Sequence, residues 1–541
     1  MSDWLTHLPI LPIVLPMLAG SAMLLLSDSH RNTRIAIGLV SAVLLAVVAV
    51  ALFFSVDAEG GTRLLTYRPA NWPPPFGIVL VVDRLAVLML LLTAAVGIAT
   101  LVASISRWEK VGVHFQPLLQ FQLMGLNGAF LTGDLFNLFV FFEILLAASY
   151  GLLLHGSGVG RVRAGLHYIA VNLVGSFLFL VGVSLIYGAV GTLNMADLAQ
   201  RLPDVIGEER ALFNAGAAVL GCAFLIKAAA WPLNFWLVGA YSAATPPVAA
   251  LFALMTKVGI YSILRMTAVL SASGEAGRVL ASDWLFYGGL VTLALGAAGL
   301  LASQELRRQA AYSILVSSGT LLAAIGLSST DALGPALYYL VSSSLAVSAF
   351  FLLIELIERN RPFGADMLAI SLEAFGLDDP VDPDAPDEVV GVALPAVMAV
   401  LGAGFVMCAL LITGLPPLSG FIAKFALLAA SLEDPDMAGS AHVPLAGWLM
   451  LATILLSGLA GVIALARSGI RTFWSVERNV LRLRLLDAAP VFALLALCVA
   501  LTLWADPALR YMDATAQALH APRDYIEAVL PAAPATHMEA Q

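Results

Sequence analysis

The chain is a succession of apolar runs, each about 20 residues long, separated by short polar connections. Only helices and closed barrels satisfy their own backbone inside a bilayer, and barrel strands alternate in polarity over roughly 10 residues. Continuous runs of this length therefore predict an all-α polytopic membrane protein. Charged residues make up 12% of the 541 residues, about half the roughly 25% of a soluble chain.

About fourteen transmembrane helices are expected, at 4–26, 35–56, 83–106, 115–133, 135–155, 162–190, 211–240, 247–270, 282–303, 307–328, 332–357, 392–430, 443–467 and 487–506. The seventh and twelfth are too long for one straight crossing. Each contains proline, Pro232 in one and Pro416 with Pro417 in the other, so each is expected to break there. Residues 57–82, with Gly60-Gly61 and Pro73-Pro74-Pro75, read as an external turn or short hairpin. Residues 194–209 and 471–485 are polar enough to lie along the membrane surface. The first run carries only Asp3 as an early charge, so it reads as a retained span and not as a signal peptide. The whole chain, 1–541, reads as a single membrane domain. It comprises N-terminal helices over 1–114, a first unit over 115–270, a second over 282–467, and a last helix with an external tail over 487–541.

Basic residues collect in alternate connections. One set holds Arg31 and Arg34; Arg107 and Lys110; Arg161 and Arg163; Arg307 and Arg308; Arg359 and Arg361; and Arg467, Arg471, Arg478, Arg482 and Arg484. By the positive-inside rule these connections face the cytoplasm, which places both termini outside. Residues 359–391 form the one long cytoplasmic insert, rich in acid and proline. They read as a solvated linker, with docking to a partner as the sharper alternative.

Three cysteines, Cys222, Cys408 and Cys498, lie in separate apolar runs with no metal-ligand spacing, and no phosphate-binding glycine loop is present. No cofactor and no resident metal is expected. Much of the net charge of −9 sits in the acidic insert, and this balance argues against a nucleic-acid partner.

Against this apolar background four charges stand out. Lys227, Lys257 and Lys424 are inside spans, while arginine supplies nearly all the surface positive charge. A charge at the bilayer centre costs about 2.5–3.5 kcal/mol on insertion scales. Arginine keeps its proton, whereas a buried lysine can release one near neutral pH. Glu143, in LFNLFVFFEILLAASYGLLL, is the matching anion. A carboxylate and an ammonium at ~4 Å gain roughly 4 kcal/mol at an effective dielectric of ~20. A Glu143–Lys227 pair that forms and breaks would switch the lysine between holding and releasing a proton.

Lys227 and Lys424 each lie near a proline break, which suggests a repeat matching helices 4–8 with helices 9–13. The plainer reading of such lysines is an interhelix clamp. It predicts that Lys227→Met leaves transport intact. Asp134 reads as a helix N-cap. His167, near the start of the sixth span, faces headgroups or a neighbour, or feeds protons. Glu355 and Glu358 read as interfacial, with the alternative of lining an entrance.

The segments GDLFNLFVFFEILLAASYGLLLHG, KAAAWPLNFWLVGAYSAATPPVAALFALMTKVGIYSILR, LRRQAAYSILVSSGTLLAAIG and GLPPLSGFIAKF together resemble the D subunits of Mrp-type multisubunit monovalent cation/proton antiporters. These subunits are related to the antiporter-like membrane subunits of respiratory complex I. The resemblance runs from about residue 80 to 485. It implies fourteen helices, two inverted five-helix repeats and broken helices 7 and 12. It also implies a proton relay through Glu143, Lys227, Lys257 and Lys424. The implied partners are protons, sodium or potassium, lipid, and other membrane subunits of the A, B, C, E, F and G types. A proton-pumping subunit of an NADH dehydrogenase or membrane hydrogenase is the alternative.

The chain departs from the pattern in two places. Relatives often read FWLP after the helix-seven break, where this chain has Phe235-Trp236-Leu237-Val238. Many carry histidine or lysine in helices ten and eleven, where this chain has Ser313, Ser317 and Ser318, then Ser342, Ser343 and Ser344. Ser318 and Ser343 are candidate proton-path residues. Hydroxyls hold water but store no proton at neutral pH, so the step from Lys257 to Lys424 is expected to need water.

Overall fold

The structure is a computed structural model, described here for residues 3–27, 29–57, 64–69, 71–74, 76–108, 112, 114–277, 283–359, 396–433, 443–473 and 484–530. After a 3-10 turn at Asp3–Ile10, the helices of the first part are α1 Leu11–Leu25, α2 Arg31–Asp57, α3 Arg84–Ile105, α4 Phe115–Leu131, α5 Leu135–Leu154, α6 Val159–Val190, α7 Met195–Arg201, α8 Gly207–Ala228, α9 Leu237–Ala243, α10 Pro246–Phe252 and α11 Met255–Leu270. The second part holds α12 Asp283–Ala302, α13 Leu306–Gly326, α14 Thr330–Arg359, α15 Ala396–Thr413, α16 Ser419–Leu432, α17 Leu445–Phe473, α18 Leu485–Leu503, α19 Ala505–His520 and α20 Pro522–Val529.

Among the described residues, 13 helices are long and apolar enough to cross a membrane. They match the expected spans except the fourth. That one is α4, only 17 residues long and buried almost throughout. The connection before α3 does form a hairpin, with Leu65–Tyr67 antiparallel to Leu80–Val82.

Both expected breaks are present. The first crossing stops at α8 and resumes at α9. Ala229 closes α8 in the left-handed region (φ 54°), with Ala230 N–H donating to Leu225 O and Ala229 N–H to Ile226 O. This reversal satisfies the last carbonyls of a helix. The freed Trp231 N–H donates to Thr292 Oγ1 at 2.8 Å, so a neighbouring span covers the gap. The second crossing stops at α15 and resumes at α16. Gly414 takes the left-handed turn (φ 78°), where glycine carries no Cβ penalty. A Cβ on Gly420 would sit 2.1 Å from Leu411 O, so only glycine lets α16 pass this close to the end of α15.

The basic connections converge on one end of the bundle. Arg31 donates to Ile105 O, and Arg107 and Arg161 both lie over the Trp108 ring. Trp108 Nε1 donates to Glu355 at 2.8 Å, Arg359 pairs with Asp487 at 2.6 Å, and Arg307 pairs with Glu358. Arg467 donates to Leu301 O and Ser303 O. Most of the insert and of 471–485 lies outside the described residues.

At the opposite end, Met195, Ala196, Leu198, Ala199 and Leu202 are buried against the bundle, while Arg201, Pro203, Asp204 and residues 206–209 are exposed. The segment after the last span is not simply a tail, because 505–529 forms α19 and α20. These helices are held to the bundle end by Tyr511 Oη donating to Arg84 O and by Arg68 donating to Val529 O. Beneath them Arg265 pairs with Asp83, and the Tyr525 ring lies 5.4 Å from its guanidinium.

Candidate functional site

Two of the three intramembrane lysines, Lys227 and Lys424, sit beside a break in a helix. Lys227 is the penultimate residue of α8 and 9% exposed. Its ammonium donates to Asn172 Oδ1 of α6 at 3.2 Å and lies 5.5 Å above the Phe142 ring. A cation over an aromatic face gains about 0.5–2 kcal/mol, more as water is removed. Glu143, beside Phe142 in α5, is near enough to act on this charge. The expected direct ion pair is absent, however. The Oε1 atom of Glu143 is buried with no hydrogen-bond partner, and Lys227 is turned to the amide instead. A buried polar atom left unpaired costs about 1–3 kcal/mol, more when charged.

Lys257 lies in the first turn of α11, just after Ala253-Leu254, where the hydrogen bonds shorten locally while both residues keep helical backbone angles, so that α10 and α11 run on as one span. A Cβ on Gly259 would meet Ala228 N at 2.5 Å and the Lys227 carbonyl carbon at 2.9 Å, so α11 presses against the broken end of α8. Lys257 is 2% exposed and donates to Ser317 Oγ of α13 at 2.6 Å. Ser317 is hydrogen-bonded to Ser343 of α14 at 2.9 Å. The adjacent Ser342 is bonded to Ser419, the first residue of α16, at 2.8 Å.

Lys424 is on α16, 6% exposed, and donates to Thr413 O at 2.8 Å and Ile412 O at 3.2 Å. These are the last carbonyls of α15. An ammonium there complements the negative end of the helix and satisfies groups the break leaves open.

The remaining candidates divide. Ser343 belongs to the hydroxyl chain. Ser318 is fully buried, but its Oγ has no hydrogen-bond partner and it stands apart from that chain. His167 is exposed on α6 with its ring 5.6 Å from Phe235, so the structure does not bring it to the lysines. Asp134 caps α5, accepting from Asn137 N–H at 2.9 Å. Glu355 is buried in the arginine-rich end and Glu358 pairs with Arg307. Sequence reasoning misses Asn172 and Ser419, and it names Ser317 among the helix-ten serines without singling it out. Asn172 is visible as an amide inside an apolar run, and Ser419 carries no signal of its own.

Residues 132–446 match the family model described as the membrane region of NADH:quinone oxidoreductase and Mrp antiporter subunits. The chain belongs to this family. Within it, the chain is 53% identical to the D subunit of a probable K(+)/H(+) antiporter of Rhizobium meliloti, across 98% of this chain and 99% of that one. It is 31% identical to the D subunit of the Na(+)/H(+) antiporter of Alkalihalophilus pseudofirmus, across 97% and 100%. The structure resembles a chain of the Mrp complex from a Dietzia species, with a TM-score of 0.79 and 25% identity over 98% of this chain and 100% of that one. It shares its fold with a chain of the membrane-bound sulfane sulfur reductase, an archaeal respiratory complex, with a TM-score of 0.80 and 22% identity over 97% and 99%. The antiporter relatives are named as transporter subunits, not enzymes.

Proposed function

We propose that the chain is the proton-translocating subunit of a multisubunit monovalent cation/proton antiporter. The observation that carries this reading is the placement of three lysines, each under one-tenth exposed, two of them beside breaks in helices. Burying three ammonium groups is unfavourable unless they work, because leucine or methionine would pack there at lower cost. A proton entering at Lys227 passes to Lys257 and leaves through Lys424. Glu143 gates the first lysine. The hydroxyls of Ser317, Ser343, Ser342 and Ser419 orient the groups between Lys257 and Lys424, with water completing the step between the two serine pairs. One charge crossing 100 mV is worth about 2.3 kcal/mol, and this drives potassium or sodium the other way.

The protein works among other membrane subunits. The names of its relatives and its likeness to a chain of the Mrp complex support that reading. The arginine-rich end faces the cytoplasm of a bacterial cell, and both termini lie outside. Helices over 115–270 and 282–467 form two units of opposite orientation, a reading supported by their matching breaks.

The test is cation-dependent proton flux in everted vesicles carrying the whole complex. Lys227→Ala and Glu143→Ala each abolish it while the complex still assembles. Normal flux with either substitution refutes the roles assigned here.

A further inference from the structure

Lys227 has two acceptors within its surroundings and uses the uncharged one. Asn172 Oδ1 takes the ammonium at 3.2 Å, while Glu143 Oε1, buried, has no hydrogen-bond donor. Asn172 is itself fixed: it is 1% exposed, and its amide nitrogen donates to Tyr168 O at 3.0 Å, one turn earlier on α6. This leaves its oxygen as the atom offered to Lys227. Tyr168 is pinned in turn by its hydroxyl bond to Ser149 at 2.7 Å and by its ring against Trp236. The amide is therefore a rigid post and not a side chain free to follow the lysine.

An orphaned carboxylate oxygen beside a lysine docked elsewhere is a pair held open. We propose that Asn172 is a positioning residue, a second and neutral berth for the Lys227 ammonium. The lysine swings between Asn172, where the countercharge is out of hydrogen-bond contact, and Glu143, where it is in contact. On Asn172 the ammonium keeps hydrogen bonding but has weaker ionic support than in a direct pair, so its proton is more readily given to the next carrier. On Glu143 the proton is retained. Either berth alone would leave the lysine in one state. The inference rests on the relay proposed above and adds the group that holds its first lysine open.

The titratable groups on the elements packed around Lys227 are Glu143 and Tyr150 on α5, Arg161, Arg163, His167, Tyr168 and Tyr187 on α6, Glu208, Glu209, Arg210 and Cys222 on α8, and Lys257, Tyr261 and Arg265 on α11, and of these Glu143 is the one whose charge acts on Lys227. Tyr168 is bonded to Ser149 and Lys257 to Ser317, which leaves Glu143 as the countercharge.

The experiment measures cation-dependent proton flux against pH in everted vesicles holding the complete complex, with assembly checked for each variant. Asn172→Asp, nearly isosteric, puts a fixed anion at the open berth. The flux falls about tenfold and its pH optimum moves upward, because the ammonium gives up its proton only in more alkaline conditions. Asn172→Leu removes the berth, leaves the lysine on Glu143 and shifts the optimum the same way. Asn172→Gln restores an amide and with it the wild-type optimum. A merely structural amide lowers assembly without moving the profile. If Asn172→Leu fails to assemble, Asn172→Asp decides alone. Wild-type rate and profile in an assembled Asn172→Asp complex overturn the proposal, provided Lys227→Ala is silent in the same vesicles. Normal flux in Lys227→Ala instead overturns the relay beneath it.

Discussion

Lys257 reaches across from α11 to donate to Ser317 of α13 at 2.6 Å, joining the first part of the bundle to the second. From Ser317 the contacts run to Ser343, and from the adjacent Ser342 to Ser419 at the start of the half-helix that bears Lys424. Neighbouring helical residues point about 100° apart. Ser342 and Ser343 therefore face different partners, and α14 stands between the two lysines with a hydroxyl on each side.

Ser317→Ala removes the group that Lys257 is bonded to and leaves its ammonium without a visible acceptor. Cation-dependent proton flux falls about tenfold, whereas Ser317→Thr keeps the hydroxyl and most of the flux. Equal flux in wild type and Ser317→Ala would show that the contact is incidental to transport.

Asp83→Ala strips the countercharge from Arg265, which is 4% exposed at its side chain. Removing one partner of a buried pair costs about 3–5 kcal/mol, since the other charge stays buried. The melting temperature of the detergent-extracted complex drops by several degrees. A drop near zero would mean that Tyr261, which also accepts from Arg265 at 2.8 Å, is sufficient.

Gly259→Val forces α11 away from the end of α8 and separates the segments that carry Lys227 and Lys257. Flux is lost by tenfold or more in a complex that still assembles. Gly239→Ala is the control, because a Cβ there meets nothing within 4 Å. The comparison is made on flux per assembled complex, and equal loss in both would point to a general effect on α9–α11.

Asp513, on α19 beyond the last span, has its carboxyl raised above the usual range, first by burial and then by the charge of Asp331. A raised carboxyl binds its proton more tightly folded than unfolded. Its favourable contribution is therefore present below pH ~3.9, the unfolded value, and lost as pH rises through the folded one. Asp513→Asn raises thermal stability slightly at pH 7, and the gain vanishes in strong acid. Thermal melts at the two pH values check the sign.

What could be read in advance followed from local chemistry. Pro232 and Pro416-Pro417 cannot continue a helix, and both breaks lie where they stand. Alternating arginines foretold one basic end, and Arg107, Arg161, Arg307, Arg359 and Arg467 meet there. What could not be read depends on which helices touch. The seating of α11 on the end of α8 has no signal of its own, because it depends on Gly259 leaving room for the backbone of Lys227 and Ala228. The choice of Asn172 over Glu143 turns on the relative placement of α5, α6 and α8, which periodicity does not encode. The helix at 505–520 had a readable apolar face in Met512, Ala516 and Leu519, hidden by a polar average that made it look like a tail.

The central claim is that buried lysines carry the proton. Lys257→Met tests it most directly, because methionine keeps the length and apolar stem while removing the titratable amine. The measurement is the cation-induced collapse of a proton gradient in everted vesicles with full assembly of the complex. The account predicts no response above that of empty vesicles. A response equal to wild type contradicts it, and Lys257 is then a clamp between helices.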